Sequence, residues 1–231
     1  MKRVYKQVSV EAVDGGWEVR LDGRPVRTPA RQPLHLPTRA LADAVAAEWD
    51  AQADAVRPNT MPLTQLANVA VDRARDQHPQ MVEAVAAYAG TDLLCYRADT
   101  PPALAERQRR DWQPLLDWCA LRHDALLAPT VGIVHRPQSA EALAALRAAV
   151  EDLDPWRLAA LQNAVGATGS LVIALALLDG RVTPAEAFAL SQLDELFQAE
   201  QWGEDAEAAR RRAGILADLE ATGRFIAAIN G

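Results

Sequence analysis

The hydrophobic period changes from two residues to about 3.6 residues along this chain, and this change constrains its fold more than any other feature. Short alternating runs separated by turn signals come first and predict an antiparallel meander. The runs are Val4–Val13, Trp17–Leu21 and Arg24–Thr28, with Leu34–Leu36 as a candidate fourth strand, and the turns are Asp14–Gly15–Gly16 and Asp22–Gly23. Prolines keep the later strands short and at sheet edges.

A helix is expected to follow the meander, because Thr38 is a good N-cap and apolar residues recur at helical spacing up to about Gln52. This helix would cover the apolar face of the sheet. Breaks at Arg57–Pro58–Asn59 and Pro62 then favour a domain boundary. We therefore predict an α+β fold, with a β-rich α+β domain at residues 1–58 and a mostly α-helical bundle domain at residues 59–231.

The rest of the chain is predicted to be almost entirely helical. The expected helices are Leu63–Asp76, Pro79–Ala89, Pro102–His123, Ser139–Leu153, Pro155–Val165, Thr168–Leu178, Pro184–Trp202 and Ala206–Ile229. The strongly apolar Thr168–Leu178 should be central to the core. Pro114, inside a predicted helix, should kink or break it.

One segment, Ser191–Glu207, carries six carboxylates and no lysine or arginine. Thr183 and Glu186 form a capping-box pattern before it, so one helix should run from Pro184 to near Trp202. Gly203 would end that helix. When the segment is projected on a helical wheel, one side is an apolar stripe of four residues: Leu190, Leu193, Leu196 and Phe197. The opposite face contains Ser191, Glu195, Gln198 and Trp202.

Two residues break this simple amphipathic pattern. Glu200 projects along the apolar stripe, and Trp202 projects with the carboxylates. Glu200 could pair with a core arginine, or the last turn could unwind and bring Trp202 inward. The alternative to both is a surface that holds another protein through an aromatic anchor and carboxylates. Trp49 has two similar interpretations, packing of its helix on the sheet or contact with a partner.

Composition excludes several classes of function. A net charge of −7 argues against a nucleic-acid partner. Cys95 and Cys119 make neither a disulfide framework nor a zinc site, and their apolar surroundings predict buried thiols. The N-terminal sequence has no targeting pattern, and the apolar run Leu171–Leu178 is too short to span a bilayer. We expect a soluble protein of a reducing compartment.

No phosphate-binding loop, nucleophile elbow or metal-binding motif is present in the sequence. Asp194 and Glu195 point about 100° apart on a helix, so they do not form an acid–base pair by themselves. Two functions remain open at this point. One is an enzyme, namely a hydrolase or transferase with a motif-free cleft between the two domains. The other is a scaffold that adds a strand at an uncovered Leu34–Leu36 edge.

Six separated segments, in order along nearly the whole chain, resemble the family of assembly chaperones that serve the alpha subunit of the catalytic sector of F-type ATP synthase. The segments are Leu21–Pro29, Ala46–Gln52, Met61–Asn68, Ala87–Arg97, Thr168–Gly180 and Leu193–Gly203. The resemblance implies a small α+β domain followed by a helical bundle, in agreement with the periodicity.

The resemblance also implies a chaperone without enzymatic activity or cofactors that binds the unassembled alpha subunit, masks its interface for the beta subunit and promotes assembly of the catalytic hexamer. It points to Asp194, Glu195, Trp202 and Trp49 as contact residues, and Gln198 and Glu200 join them by position on the helix. We expect a monomer in the bacterial cytoplasm, without membrane insertion; eukaryotic members of the family work in the mitochondrial matrix.

Overall fold

The computed structural model describes residues 2–231, which group into two compact units. The first unit comprises the chain up to His78 together with residues 154–160 and 221–231. The second comprises Pro79–Leu153 and Leu161–Glu220. The domain boundary predicted between residues 58 and 59 stays a prediction.

The first unit contains the predicted meander. Strands β1 (Val8–Val13), β2 (Gly16–Leu21) and β3 (Arg24–Pro25) pair antiparallel in the order β1-β2-β3. The β2–β3 turn has left-handed backbone at both Asp22 (φ 49°) and Gly23 (φ 77°), which matches the twist of the flanking strands. Helix α1 (Arg39–Asp50) packs on β1 and β2 with Thr38 as its N-cap. The predicted α+β class is confirmed.

The segment predicted as a fourth strand meets the sheet through one isolated bridge, between Leu36 and Trp17. Leu36 exchanges backbone hydrogen bonds of 2.9 and 2.8 Å with Trp17, while Leu34 and Leu36 bury their side chains. The approach requires glycine at position 16, because a Cβ there would lie 2.3 Å from the Leu36 carbonyl oxygen. The segment is therefore held by the close packing of two backbones and is too short to form a ladder.

The remaining elements are mostly helices, as predicted. They are α2 (Pro62–Val69, continued by a π-helical turn at Ala70–Ala74), α3 (His78–Ala86), β4 (Tyr96–Arg97), α4 (Pro102–His123), β5 (Thr130–Val131), α5 (Ala140–Glu151), α6 (Pro155–Thr168), α7 (Leu171–Leu178), α8 (Pro184–Ser191), α9 (Leu193–Trp202) and α10 (Ala206–Asn230). Helix α4 is continuous through Pro114, so the break allowed at that proline does not occur.

The prediction of one helix from Pro184 to Trp202 is wrong. The capping box at Thr183 and Glu186 is present, but α8 ends at Ser191 and α9 starts at Leu193. The Ser191 hydroxyl donates to the Phe188 carbonyl oxygen at 3.0 Å, and both Ser191 and Gln192 are buried. A serine that bonds to the backbone of the preceding turn competes with continued helix, and burial fixes the break here.

Helix α7 is the most apolar helix of the second unit, and the predicted central position in the core is confirmed. Every residue from Leu171 to Leu177 is buried. The N-terminus of α7 is anchored by Asp92, whose carboxylate accepts hydrogen bonds from the Ser170 hydroxyl at 2.7 Å and from the Leu94 and Val172 amides at 3.0 Å. Burial raises the pKa of Asp92, while these donors act to lower it.

Both cysteines are buried free thiols, as the sequence predicted. Burial raises the pKa of Cys95 and of Cys119 to about 12, so thiolate is scarce at neutral pH. None of the helices within residues 2–231 combines the length and the apolar character that crossing a bilayer requires.

We predict that Asp92→Asn destabilises the protein by about 1–3 kcal/mol, because the amide replaces an acceptor oxygen with an NH₂ donor that faces buried donors. Asp205 offers a matched control, since its exposed carboxylate caps α10 through the Glu207 and Ala208 amides. Asparagine caps helices about as well as aspartate, so Asp205→Asn should change little. Urea unfolding followed by circular dichroism measures the free energy of unfolding of both variants. Equal losses of stability in the two variants would contradict the anchoring role of Asp92.

Candidate functional site

Helix α9 carries five of the six residues predicted for partner binding. Asp194 and Glu195 lie in its first turn, where carboxylates interact favourably with the helix dipole. Gln198, Glu200 and Trp202 follow along the helix and are exposed. Gly203 ends α9 with left-handed backbone, and its amide bonds to the Ala199 carbonyl. This end of the helix therefore presents its side chains to solvent.

Trp202 has the largest aromatic exposure in the part of the chain that the structure describes, with 78% of its surface accessible. Leu193 and Phe197, which lie nine and five residues before it on the same helix, bury their side chains. The helix keeps its form up to Trp202, so the interpretation in which the last turn unwinds and brings the indole inward is wrong. Large exposed aromatics of this kind are typical anchors of protein interfaces.

Glu200 lies at the surface and pairs with an arginine. The Arg107 guanidinium of α4 contacts both Glu200 oxygens at 3.0 and 3.1 Å and lies 5.7 Å from the centre of the Phe197 ring. The sequence allowed pairing of Glu200 with a core arginine, but this pair is half-exposed and outside the core.

Two further carboxylates, Glu195 in the first turn of α9 and Glu204 just after its last residue, pair with arginines of α10. Glu195 lies 3.6 Å from Arg211, and Glu204 lies 2.5 Å from Arg212. Arg211 and Glu195 are both substantially exposed, whereas the Arg212 side chain is buried. Exposed pairs of this type contribute only about 0–1 kcal/mol each. The Glu195–Arg211 contact can therefore be exchanged for a contact with another protein at little cost.

Asp194 is positioned by a buried glutamine that sequence reasoning missed. Gln108 donates from Nε2 to Asp194 Oδ1 at 2.7 Å, and its Oε1 accepts from the Ala98 amide at 2.7 Å. A signal for it exists in the sequence, because Gln108 lies four residues from both Leu104 and Trp112 on the apolar face of α4. A polar residue at such a position usually has a specific hydrogen-bonding partner.

A groove of about 530 Å³ runs along α9 between α4 and α8. Its apolar lining includes Leu115, Leu190, Leu193 and Leu196, and its charged lining includes Arg107, Arg110, Arg181, Asp111, Glu186 and Glu200. Trp112 of α4 fixes one wall, since its indole N–H donates to the Leu190 carbonyl of α8 at 2.9 Å. An apolar surface with both signs of charge around it suits a protein segment better than a small charged substrate.

Trp49, the sixth predicted residue, belongs to the first unit and packs within it. Its ring lies edge-on to Tyr5 at 5.9 Å, and its carbonyl accepts from the Tyr5 hydroxyl at 2.6 Å. It also packs against Val56 and Met61. The interpretation of Trp49 as a packing residue is confirmed, and its contact with a partner stays a prediction.

Three kinds of comparison agree with this picture. The model of the family described as ATP12 chaperone protein matches residues 2–120. The crystal structure of Atp12 from Paracoccus denitrificans is 45% identical and superposes with a TM-score of 0.93 over 99% of this chain and 98% of that one. Protein atp12, mitochondrial, of Schizosaccharomyces pombe is 26% identical over an alignment of 219 residues, and the alignment covers 89% of this chain and 75% of that protein.

These matches define an assembly chaperone of the F1-ATPase, and the resemblance noted in the sequence is confirmed. The chain belongs to the ATP12 chaperone family. Members of this family are assembly factors without enzymatic activity, so the alternative of a hydrolase or transferase is set aside.

We predict that Gln108→Leu destabilises the second unit by about 1–3 kcal/mol, because it leaves the Ala98 amide and the Asp194 carboxylate without their partner. Gln113→Leu is the matched control on the same helix, since Gln113 donates to Asp117 at 2.8 Å at the surface. Its cost should stay within about 0.5 kcal/mol. Thermal and urea unfolding measure the stability of both variants. A Gln108→Leu variant as stable as Gln113→Leu would show that the hydrogen bond to Asp194 is dispensable.

Proposed function

We propose that this chain binds the unassembled alpha subunit of the F1-ATPase through the outer face of α9. It thereby masks the surface that the alpha subunit uses for the beta subunit and promotes assembly of the catalytic hexamer. We further propose that it acts as a monomer in the bacterial cytoplasm. Membership of the ATP12 family supports the choice of partner, and the exposed indole of Trp202 beside the carboxylates carries the choice of surface.

The physical argument starts from the client. An alpha subunit without its neighbours exposes a partly apolar interface that is prone to aggregation. A chaperone needs apolar surface to cover it, and Trp202 with the leucines of the α9 groove supplies such surface. It also needs charges that orient the client and let it go. Glu195 and Glu200 are suited to this because they are exposed and hold only surface arginines.

The pairing of these carboxylates offers a simple route to release. Arg211 and Arg107 neutralise Glu195 and Glu200 in the free chaperone, so an arginine or lysine of the client would replace a partner of the same charge. The net gain from each exchange is small. Binding would then depend mainly on covered apolar surface, and the beta subunit could displace the chaperone by covering more of it.

We predict that Trp202→Ala and Glu195→Lys each weaken binding of the purified alpha subunit about tenfold or more, a loss of about 1.4 kcal/mol or more. Trp202 is mostly in solvent and Glu195 is half-exposed, so the melting temperature should change little. Glu151→Lys is the matched control, because Glu151 is an exposed carboxylate at the end of α5. Biolayer interferometry measures affinity, and light scattering measures how well each variant suppresses aggregation of the alpha subunit.

Two results would contradict the proposal. Wild-type chaperone that neither binds the alpha subunit nor suppresses its aggregation would rule out the partner. Trp202→Ala and Glu195→Lys variants that bind as tightly as Glu151→Lys would rule out α9 as the contact surface.

A further inference from the structure

A cleft of about 530 Å³ lies within the first unit, at the end of the sheet where β2 turns into β3. Its lining comes from residues 2–5, from residues 21–27, and from Trp49 and Val56. We call it the Trp49 cleft. All of these residues belong to the first unit, whereas helix α9 belongs to the second. The proposed α9 surface therefore does not include this cleft.

The floor of the Trp49 cleft is apolar and well packed. Tyr5 and Val56 are buried in one hydrophobic cluster, and the partly buried Leu21 and Trp49 pack against that cluster. The edge-on contact between the Tyr5 and Trp49 rings fixes the position of both aromatic groups. A floor of this kind is preformed, so an occupant would cover it without a cost for ordering these side chains.

The apolar surface of the cleft continues to a valine in solvent. Val4, which also lines the cleft, is 82% accessible. Within the described part of the first unit, it is the only large hydrophobic side chain that is exposed. A single exposed valine is ordinary, but one that adjoins an apolar cleft enlarges the surface that a partner can cover.

The charges around this floor are mainly positive. Lys2, Arg24 and Arg27 line the cleft with exposed side chains, and none of them forms an ion pair with any residue from 2 to 231. Asp22 is the one carboxylate of the lining, and it accepts hydrogen bonds of 2.9–3.2 Å from the Lys6 and Gln7 amides. The local charge is thus opposite in sign to the net charge of −7 of the whole chain.

These features define the chemistry of an occupant. The three cations favour carboxylates, because complementary charges orient a partner and exclude partners of the wrong sign. The apolar floor favours an aliphatic side chain between those carboxylates, which a small inorganic anion lacks. The acidic balance of the whole chain disfavours a nucleic acid, whose binding depends on phosphate neutralisation. A protein segment that combines aliphatic and acidic side chains fits all three constraints.

We propose that the Trp49 cleft is a second client contact, which takes up an acidic and aliphatic segment of the unassembled alpha subunit. An aliphatic side chain of that segment covers Val4 and the floor, and its carboxylates meet Arg24, Arg27 and Lys2. This inference rests on the proposed function for the identity of the client. The two contacts would have opposite charge, since carboxylates surround Trp202 on α9 and cations surround the Trp49 cleft.

Charge reversal tests the role of the cations. Arg24→Glu/Arg27→Glu should weaken binding of the purified alpha subunit about tenfold or more, because two attractive contacts become repulsive. Arg24→Lys/Arg27→Lys keeps the charge and should bind like wild-type protein. Arg73→Glu is the matched control, because Arg73 is an exposed arginine of the first unit outside this cleft. Biolayer interferometry measures affinity, and a reversal variant that binds as tightly as Arg73→Glu would overturn the proposal.

A measurement on wild-type protein remains decisive if the double reversal impairs folding. Three valines line the cleft, namely Val4, Val26 and Val56, and the ring of Trp49 lies beside them. Their methyl resonances should shift in methyl-selective NMR spectra when purified alpha subunit is added. The methyl resonances of Val13, at the opposite end of β1, should stay in place.

The outcomes separate this inference from the proposed function. If the alpha subunit binds wild-type protein and Trp202→Ala weakens that binding, while the three valines do not respond, the cleft is not a client contact and the α9 surface stands. If the valines respond only as the free chaperone is concentrated, the cleft holds a second copy of this chain and the client assignment is overturned. If the alpha subunit does not bind wild-type protein at all, both proposals fail.

Discussion

The hydrogen bonds of the Asp92 carboxylate are the interaction on which the second unit depends most. Helix α7 is buried along almost its whole length, so the unpaired amides at its start cannot be satisfied by water. Asp92 and the N-cap Ser170 satisfy them and connect α7 to the segment that leads into β4. Helices α4 and α8 pack against α7, and these are the helices that form the groove with α9.

The surface built on this core combines rigidity with weak, exchangeable charge pairs. Gln108 and Trp112 of α4 hold Asp194 and the end of α8 through buried or half-buried hydrogen bonds. The carboxylates farther out pair with arginines at the surface. The positions of the side chains are thus fixed by the buried bonds, and their partners can change without disturbing the fold. A chaperone that must release its client benefits from this division.

The sequence predicted the fold class and most helices because capping residues and apolar spacing are local signals. Thr38, Ser139 and Thr183 each cap the helix expected of them. The break between α8 and α9 was missed because it depends on burial of Ser191 and Gln192, which no local signal encodes. The partner of Glu200 was left open for the same reason, since Arg107 lies 93 residues away in the chain.

The most direct test of the central claim places a photo-crosslinker at position 202. Benzoylphenylalanine replaces the exposed indole there with another aromatic group and reacts with whatever lies against the end of α9. The account predicts crosslinks to the alpha subunit, at residues that the beta subunit covers in the assembled hexamer, and their loss when the beta subunit is added. Crosslinks to a surface of the alpha subunit that stays exposed in the hexamer, or none in a complex that forms normally, would contradict it.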